Sequence, residues 1–157
     1  MSDAMEPNRG PMTFRIPAPQ ILIDGQWRDA DAGQTLPVED PSSGETFAHI
    51  AAGTARDVDA AVAAARAALA GEWGAMPAFE RGRVLARIGH AVLEQIDDLA
   101  HLEARDVGKP LKQARADVVA LARYLEFYAG AADKIHGETI PFQAGYTVYT
   151  LREPHGV

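Results

Sequence analysis

The hydrophobic pattern along the chain changes period several times, and each change marks a new element. Residues 1–19 hold Pro7, Pro11, Pro17 and Pro19 among scattered polar residues with no sustained period, which predicts a flexible leader. Ile21-Leu22-Ile23 and Gln26-Trp27-Arg28 flank Asp24-Gly25, the pair that best suits a two-residue hairpin turn. A second β region is expected at Val38-Glu39-Asp40 and Thr46 to Ile50, with turn residues Pro41 to Glu45 between them.

The period becomes helical at Thr54. Thr54 and Asp57 have capping-box spacing, with Asp in place of the usual Glu, and Val58, Ala61, Val62, Ala65 and Leu69 then share a face until Gly71. After Pro77, Leu85, Ile88, Val92, Ile96, Leu99 and Leu102 recur at steps of three or four, predicting one long amphipathic helix. Gly108-Lys109-Pro110 stops it and opens another, whose stripe is Leu111, Ala114, Val118, Leu121, Leu125 and Tyr128. The two are expected to pack together. Tyr146 to Leu151 consists wholly of strand formers, and so apolar a strand presents an edge that must be paired or covered. Tyr146, Val148, Tyr149 and Leu151 are therefore the candidate interface residues. The segment reads as α+β, dominated by helices with short strands.

Composition narrows the partners. With 47% hydrophobic and 24% charged residues the chain is that of a folded protein, and its net charge of -7 repels nucleic acid and anionic membranes. No run approaches the ~20 apolar residues of a membrane span, and the start lacks a signal-peptide pattern, so a cytoplasmic location is expected. The absence of cysteine excludes disulfides, thiolate metal sites and a cysteine nucleophile within these residues.

Candidate chemistry is sparse. Gly108-Lys109 imitates the end of a phosphate loop, but Glu103 stands where the first glycine would be and Pro110 replaces the Ser or Thr. His90 and His101, eleven apart, would share a helical face with Asp97 and Asp98 between them, without a third ligand at a recognised spacing. The pairs Asp57 with Asp59 and Asp97 with Asp98 are read as helix surface rather than acid/base machinery, and Ser42-Ser43-Gly44 as a turn rather than a nucleophile elbow. Trp27, Trp73, Phe79, Tyr124, Phe127 and Tyr128 are expected to be core and interface anchors.

Seven segments occur in an order that resembles the amino-terminal portion of the aldehyde dehydrogenase superfamily, from about residue 21 to the end. They are Ile23 to Trp27, Asp40 to Glu45, Ala55 to Ala68, Glu80 to Leu85, Glu103 to Pro110, Tyr128 to Pro141 and Arg152 to Val157. The resemblance implies an α/β parent fold, in which residues 20–141 form the amino-terminal part of a Rossmann-type coenzyme-binding domain. Residues 142–157 would then start an oligomerisation hairpin, truncated here because the chain ends where a strand is expected to continue. It further implies a parent that oxidises an aldehyde to a carboxylic acid with NAD or NADP and associates as a homo-oligomer through the Tyr146 strand. No catalytic or cofactor-binding residue of the family has a matching position here, so this segment is expected to be inactive and to bind no cofactor, and no residue is assigned as a metal ligand. A structural monovalent cation that some members hold would lie near Asp106, with the carbonyls of Val38 and Glu39. Two other readings compete: a non-catalytic interaction module, and a helical binding protein using a groove between the 80–105 and 110–130 helices. On any of them, helix faces that normally cover a parallel sheet predict marginal stability and association for the isolated segment.

Overall fold

Asp24 and Gly25 take positive φ values of 53° and 71°, the backbone that a two-residue hairpin turn of matching twist demands. In the computed structural model, which describes Ile16 and residues 18–157, they join β1 (Ile21–Ile23) to β2 (Gln26–Arg28) in the expected register, Ile23 opposite Gln26. The expected leader lies almost wholly outside the described residues. The second hairpin pairs β3 (Thr35–Asp40) with β4 (Glu45–Ala51), both longer than their apolar patterns indicated, and a bulge interrupts the register between Val38 and Glu39.

Five helices follow. These are α1 (Ala55–Ala70), the single turn α2 (Glu72–Ala75), α3 (Ala78–Glu94), α4 (Ile96–Val107) and α5 (Leu111–Ala131). The stripe read as one helix after Pro77 is two, broken at Gln95, whose φ and ψ of -116° and 25° leave the helical region. The apolar period runs straight through the break because both helices pack on α5. Side-chain pattern reports which face is buried and is blind to a local change of axis. At the far end of α4 the chain reverses through Gly108 in the left-handed conformation, with Pro41 so close that a side chain would not fit.

Ala100, Ala114 and Val118 form the centre of the helical layer, with Val92, Ile96, Leu99, Ala104 and Leu111 packed around them. Helices α3 and α5 approach closely because Gly82 and Gly89 face Ala129 and Ala122. This core is thin. Its buried apolar residues are Ala30, Ala100, Ala114, Val118 and Ala122, and no large side chain is fully enclosed among the described residues. The six aromatic residues expected as core or interface anchors all lie on the surface, Phe127 at 68% exposure and Trp27 at 62%, so none of them is core in this chain.

The last element departs from expectation in extent. Of Tyr146 to Leu151 only Val148–Tyr149 forms a strand, β6, and it pairs antiparallel with β5 (Thr139–Ile140), which the pattern did not single out. The three hairpins remain separate two-stranded ladders.

Candidate functional site

Three side-chain clusters and two grooves carry what the described residues can do chemically. The first cluster centres on Asp57, the one buried charged residue among those described. Its carboxylate accepts hydrogen bonds from the Thr54 amide at 2.8 Å, the Thr54 hydroxyl at 3.0 Å and the Asp31 amide at 3.1 and 3.2 Å. The capping box is thus present, and Asp57 also ties the loop after β2 to the start of α1. The Thr54 amide first, then the Asp31 amide, hold this carboxyl below its ordinary value of 3.8.

The sign of the linkage follows. A depressed folded-state value means that the stabilisation is complete above 3.8 and is lost as pH falls through the lower folded value. Asp57→Asn keeps the shape but removes the charge, so its thermal midpoint is expected to fall by about 5 °C at pH 7 and to converge with wild type on acidification. Thermal melts at steps from about pH 7 to pH 2 check this. Parallel midpoints at every pH would show that the carboxylate charge has no such role.

The second cluster joins the β3–β4 turn to α4. Asp40 accepts from the Ser42 hydroxyl at 2.5 Å and amide at 2.9 Å, and Arg105 approaches Asp40 at 3.4 Å while its guanidinium lies 4.4 Å from the centre of the Phe47 ring. The Ser42 hydroxyl, then its amide, then Arg105 lower the Asp40 carboxyl. Ser42-Ser43-Gly44 is therefore a side-chain-closed turn, as read, and Glu45 completes it by donating its amide to the Ser43 hydroxyl. In the third cluster Lys109 Nζ donates to Glu103 at 2.5 Å and Asp117 at 2.7 Å, linking α4 to α5 across the Gly108 reversal. Asp117 first, then Glu103, raise the Lys109 ammonium above 10.5. A lysine already held by two carboxylates is engaged with anions of its own chain.

Other candidates dissolve on inspection. Breaking the helix at Gln95 puts His90 on α3 and His101 on α4, so they share no face, and Asp97 pairs with Arg115. No group of three His, Cys, Asp or Glu residues among those described could hold a metal. Asp106 and Val38 do line one groove, which brings together two of the positions implicated in a monovalent cation. No GxGxxG dinucleotide loop occurs in the sequence.

The two grooves are of similar size. One, of about 600 Å³, lies between α3 and α5 with His90, Leu93, Val119 and Arg123 in its walls, where a groove between the long helices was anticipated. The other, of about 630 Å³, is apolar and runs between the second hairpin and the α4–α5 pair, walled by Phe47, Ile50, Leu99, Leu102, Val118 and Leu121.

At the carboxy-terminal hairpin, the Glu138 carbonyl accepts from the Thr150 amide at 2.9 Å, and the Thr150 hydroxyl accepts from the Glu138 amide at 2.8 Å. Since the Thr150 amide points inward, the amide of Tyr149, the last residue of β6, points to the open edge. Tyr146, Tyr149 and Leu151 are 61–69% exposed, while Val148 is half-buried. Phe142 stacks edge-on against Tyr146 at 5.8 Å. The pattern of apolar residues in this segment was visible in the sequence; the partner strand Thr139–Ile140 was not, because two residues carry no period.

Comparison with known proteins adds the family. The aldehyde dehydrogenase family profile matches residues 27–157. The mitochondrial benzaldehyde dehydrogenase of Antirrhinum majus is 46% identical over 154 residues, covering 97% of this chain and 28% of its own length. A Burkholderia cenocepacia protein assigned as an aldehyde dehydrogenase is 64% identical in the aligned region, with a TM-score of 0.83 over 85% of this chain and 28% of that one. The NAD+ complex of Bacillus cereus aldehyde dehydrogenase superposes at TM-score 0.83 and 35% identity, over 86% of this chain and 28% of its own. The chain spans little more than a quarter of the length of these relatives.

Proposed function

The chain belongs to the aldehyde dehydrogenase family, and on that footing we propose that it is the amino-terminal part of the coenzyme-binding domain of an NAD(P)-dependent enzyme that oxidises an aldehyde to its carboxylic acid. In this reading residues 20–141 supply outer helices and small strands, and residues 142–157 begin the hairpin through which subunits associate. The observation that carries it is the thin core: α3, α4 and α5 bury only small residues while Leu121, Tyr124, Phe127 and Tyr128 remain on the surface, as outer helices do before the sheet they cover is added. The reading places the protein in the cytoplasm, although the Antirrhinum relative is mitochondrial by name.

The chemistry belongs to the larger protein. The family's thiolate nucleophile has no counterpart in a chain without cysteine, and the cofactor loop is absent as well. The chain by itself is therefore expected to produce no aldehyde-dependent reduction of NAD or NADP. A fusion of residues 1–157 to the remaining length of the Burkholderia relative is expected to restore it, and absorbance of the reduced nicotinamide reads both. Turnover by the chain alone would overturn the reading.

The exposed hairpin supports a second one, a non-catalytic module that adds Tyr149 and Leu151 to the edge of a full-length relative or of itself. A folded but inactive fusion, together with capture of the intact relative by the isolated chain, would favour it.

A further inference from the structure

Aldehydes add to neutral amines and thiolates, whereas a guanidinium stays protonated at any accessible pH. This chain offers few such side chains: three lysines, Lys109, Lys112 and Lys134, against twelve arginines, and no cysteine. Two of the three lysines are held. Lys109, 27% exposed, donates to both Glu103 and Asp117, and Lys134 pairs with Asp133 beside it. Lys112 differs. It occupies the first turn of α5, it is exposed, and it makes no hydrogen bond or ion pair among the described residues.

We propose that Lys112 is the side chain at which a small aldehyde adds covalently to this chain, and that the Glu103–Lys109–Asp117 bridge shields its neighbour three residues away. That the chain meets aldehydes rests on the family reading above; the order of reactivity among its lysines does not. The ammonium first gives one proton to solvent, and its nitrogen pair then forms a C–N bond to the carbonyl carbon while the C=O electrons move to oxygen. Both remaining protons of the nitrogen pass to that oxygen, the C–O bond breaks as the nitrogen pair closes the C=N bond, and water leaves, giving an imine with no change of oxidation state. Lys109 is slow because its N–H donors and its proton are committed to two carboxylates, which an attacking neutral amine would have to abandon. The pairing is partly solvated, so it delays Lys109 rather than excluding it. Lys134, with one adjacent carboxylate on a more exposed side chain, falls between the two.

The test uses the full chain, propanal at neutral pH and borohydride trapping of the imines, with peptide fragmentation locating label on each lysine over time. Lys112 is expected to label several-fold faster than Lys109, whose ammonium must first leave both carboxylates. Lys112→Arg is expected to remove the fast phase. In the Glu103→Gln, Asp117→Asn double variant, checked for helix content by circular dichroism, Lys109 is expected to approach the rate of Lys112. Equal rates at Lys109 and Lys112 in the wild type would overturn the proposal, as would a fast phase at another lysine that survives Lys112→Arg. Should the double variant unfold, the wild-type ratio and Lys112→Arg decide alone. A fusion lacking dehydrogenase activity would leave this result untouched, so the two readings fail separately.

Discussion

Gly82→Val is expected to unfold a large fraction of the chain at room temperature, while Gly130→Ala in the neighbouring helix is expected to stabilise it. Both glycines lie in helices, where replacing glycine by alanine ordinarily gains up to about 1 kcal/mol. The difference is what a side chain would meet. At Gly82 a β-carbon would overlap the carbonyl oxygen of Ala129 and stand 3.3 Å from the Ala132 β-carbon. At Gly130 it meets nothing within 4 Å. A carbonyl belongs to the backbone of α5 and cannot rotate away, so the helices must separate. Overpacking of this kind costs about 1–3 kcal/mol for one or two added carbons. The three carbons of valine, placed against backbone, fall at the upper end. A core built of Ala100, Ala114 and Val118 has little in reserve against that. Urea denaturation followed by far-ultraviolet circular dichroism measures both variants. Equal midpoints for Gly82→Val and wild type would mean that α3 and α5 do not cross as closely as described.

The second large effect concerns association. Gly137→Ala is expected to weaken self-association at least about tenfold while leaving the helical content unchanged. A β-carbon at Gly137 would overlap the Thr150 carbonyl oxygen, so the strands must splay apart at the residue beside the Glu138–Thr150 pair. The β5–β6 ladder has only two residues on each strand, extended by the Glu138–Thr150 bonds, and no third strand pairs with it among the described residues. A two-stranded ribbon of that length has little stability of its own, and losing one end costs much of what holds it. Tyr149 and Leu151 would then no longer present a straight edge. Sedimentation velocity over a range of concentrations reads the change. Should Gly137→Ala associate as the wild type does, contact between chains must run through another face, the exposed Tyr124, Phe127 and Tyr128 surface of α5 being the next to test.

Much of the local architecture was legible in residue order. The Asp24-Gly25 turn, the Thr54–Asp57 capping box, the stop at Gly108 and the side-chain-closed turn at Ser42 are each decided within four residues, by steric freedom or by a short side chain reaching its own backbone. The family was legible too, because it is carried by several short segments in a set order rather than by any one contact. The reading of Asp57 was incomplete. Its capping partner Thr54 is three residues away and visible, whereas Asp31 is 26 residues away and reaches the same carboxylate only once β2 and α1 have been placed.

Tertiary structure alone decided the rest. The break at Gln95 separated His90 from His101, although the apolar period ran on unbroken, since both helices turn the same kind of face to α5. Lys109 became a bridge because the reversal at Gly108 brings Asp117 back towards Glu103, a proximity that sequence distance does not encode. Helical and strand periods state which residues seek cover; they do not state whether the chain can provide it. Among the described residues it does so fully only for Ala30, Ala100, Ala114, Val118 and Ala122, because burial is a property of surfaces brought together, and the surfaces brought together here are small.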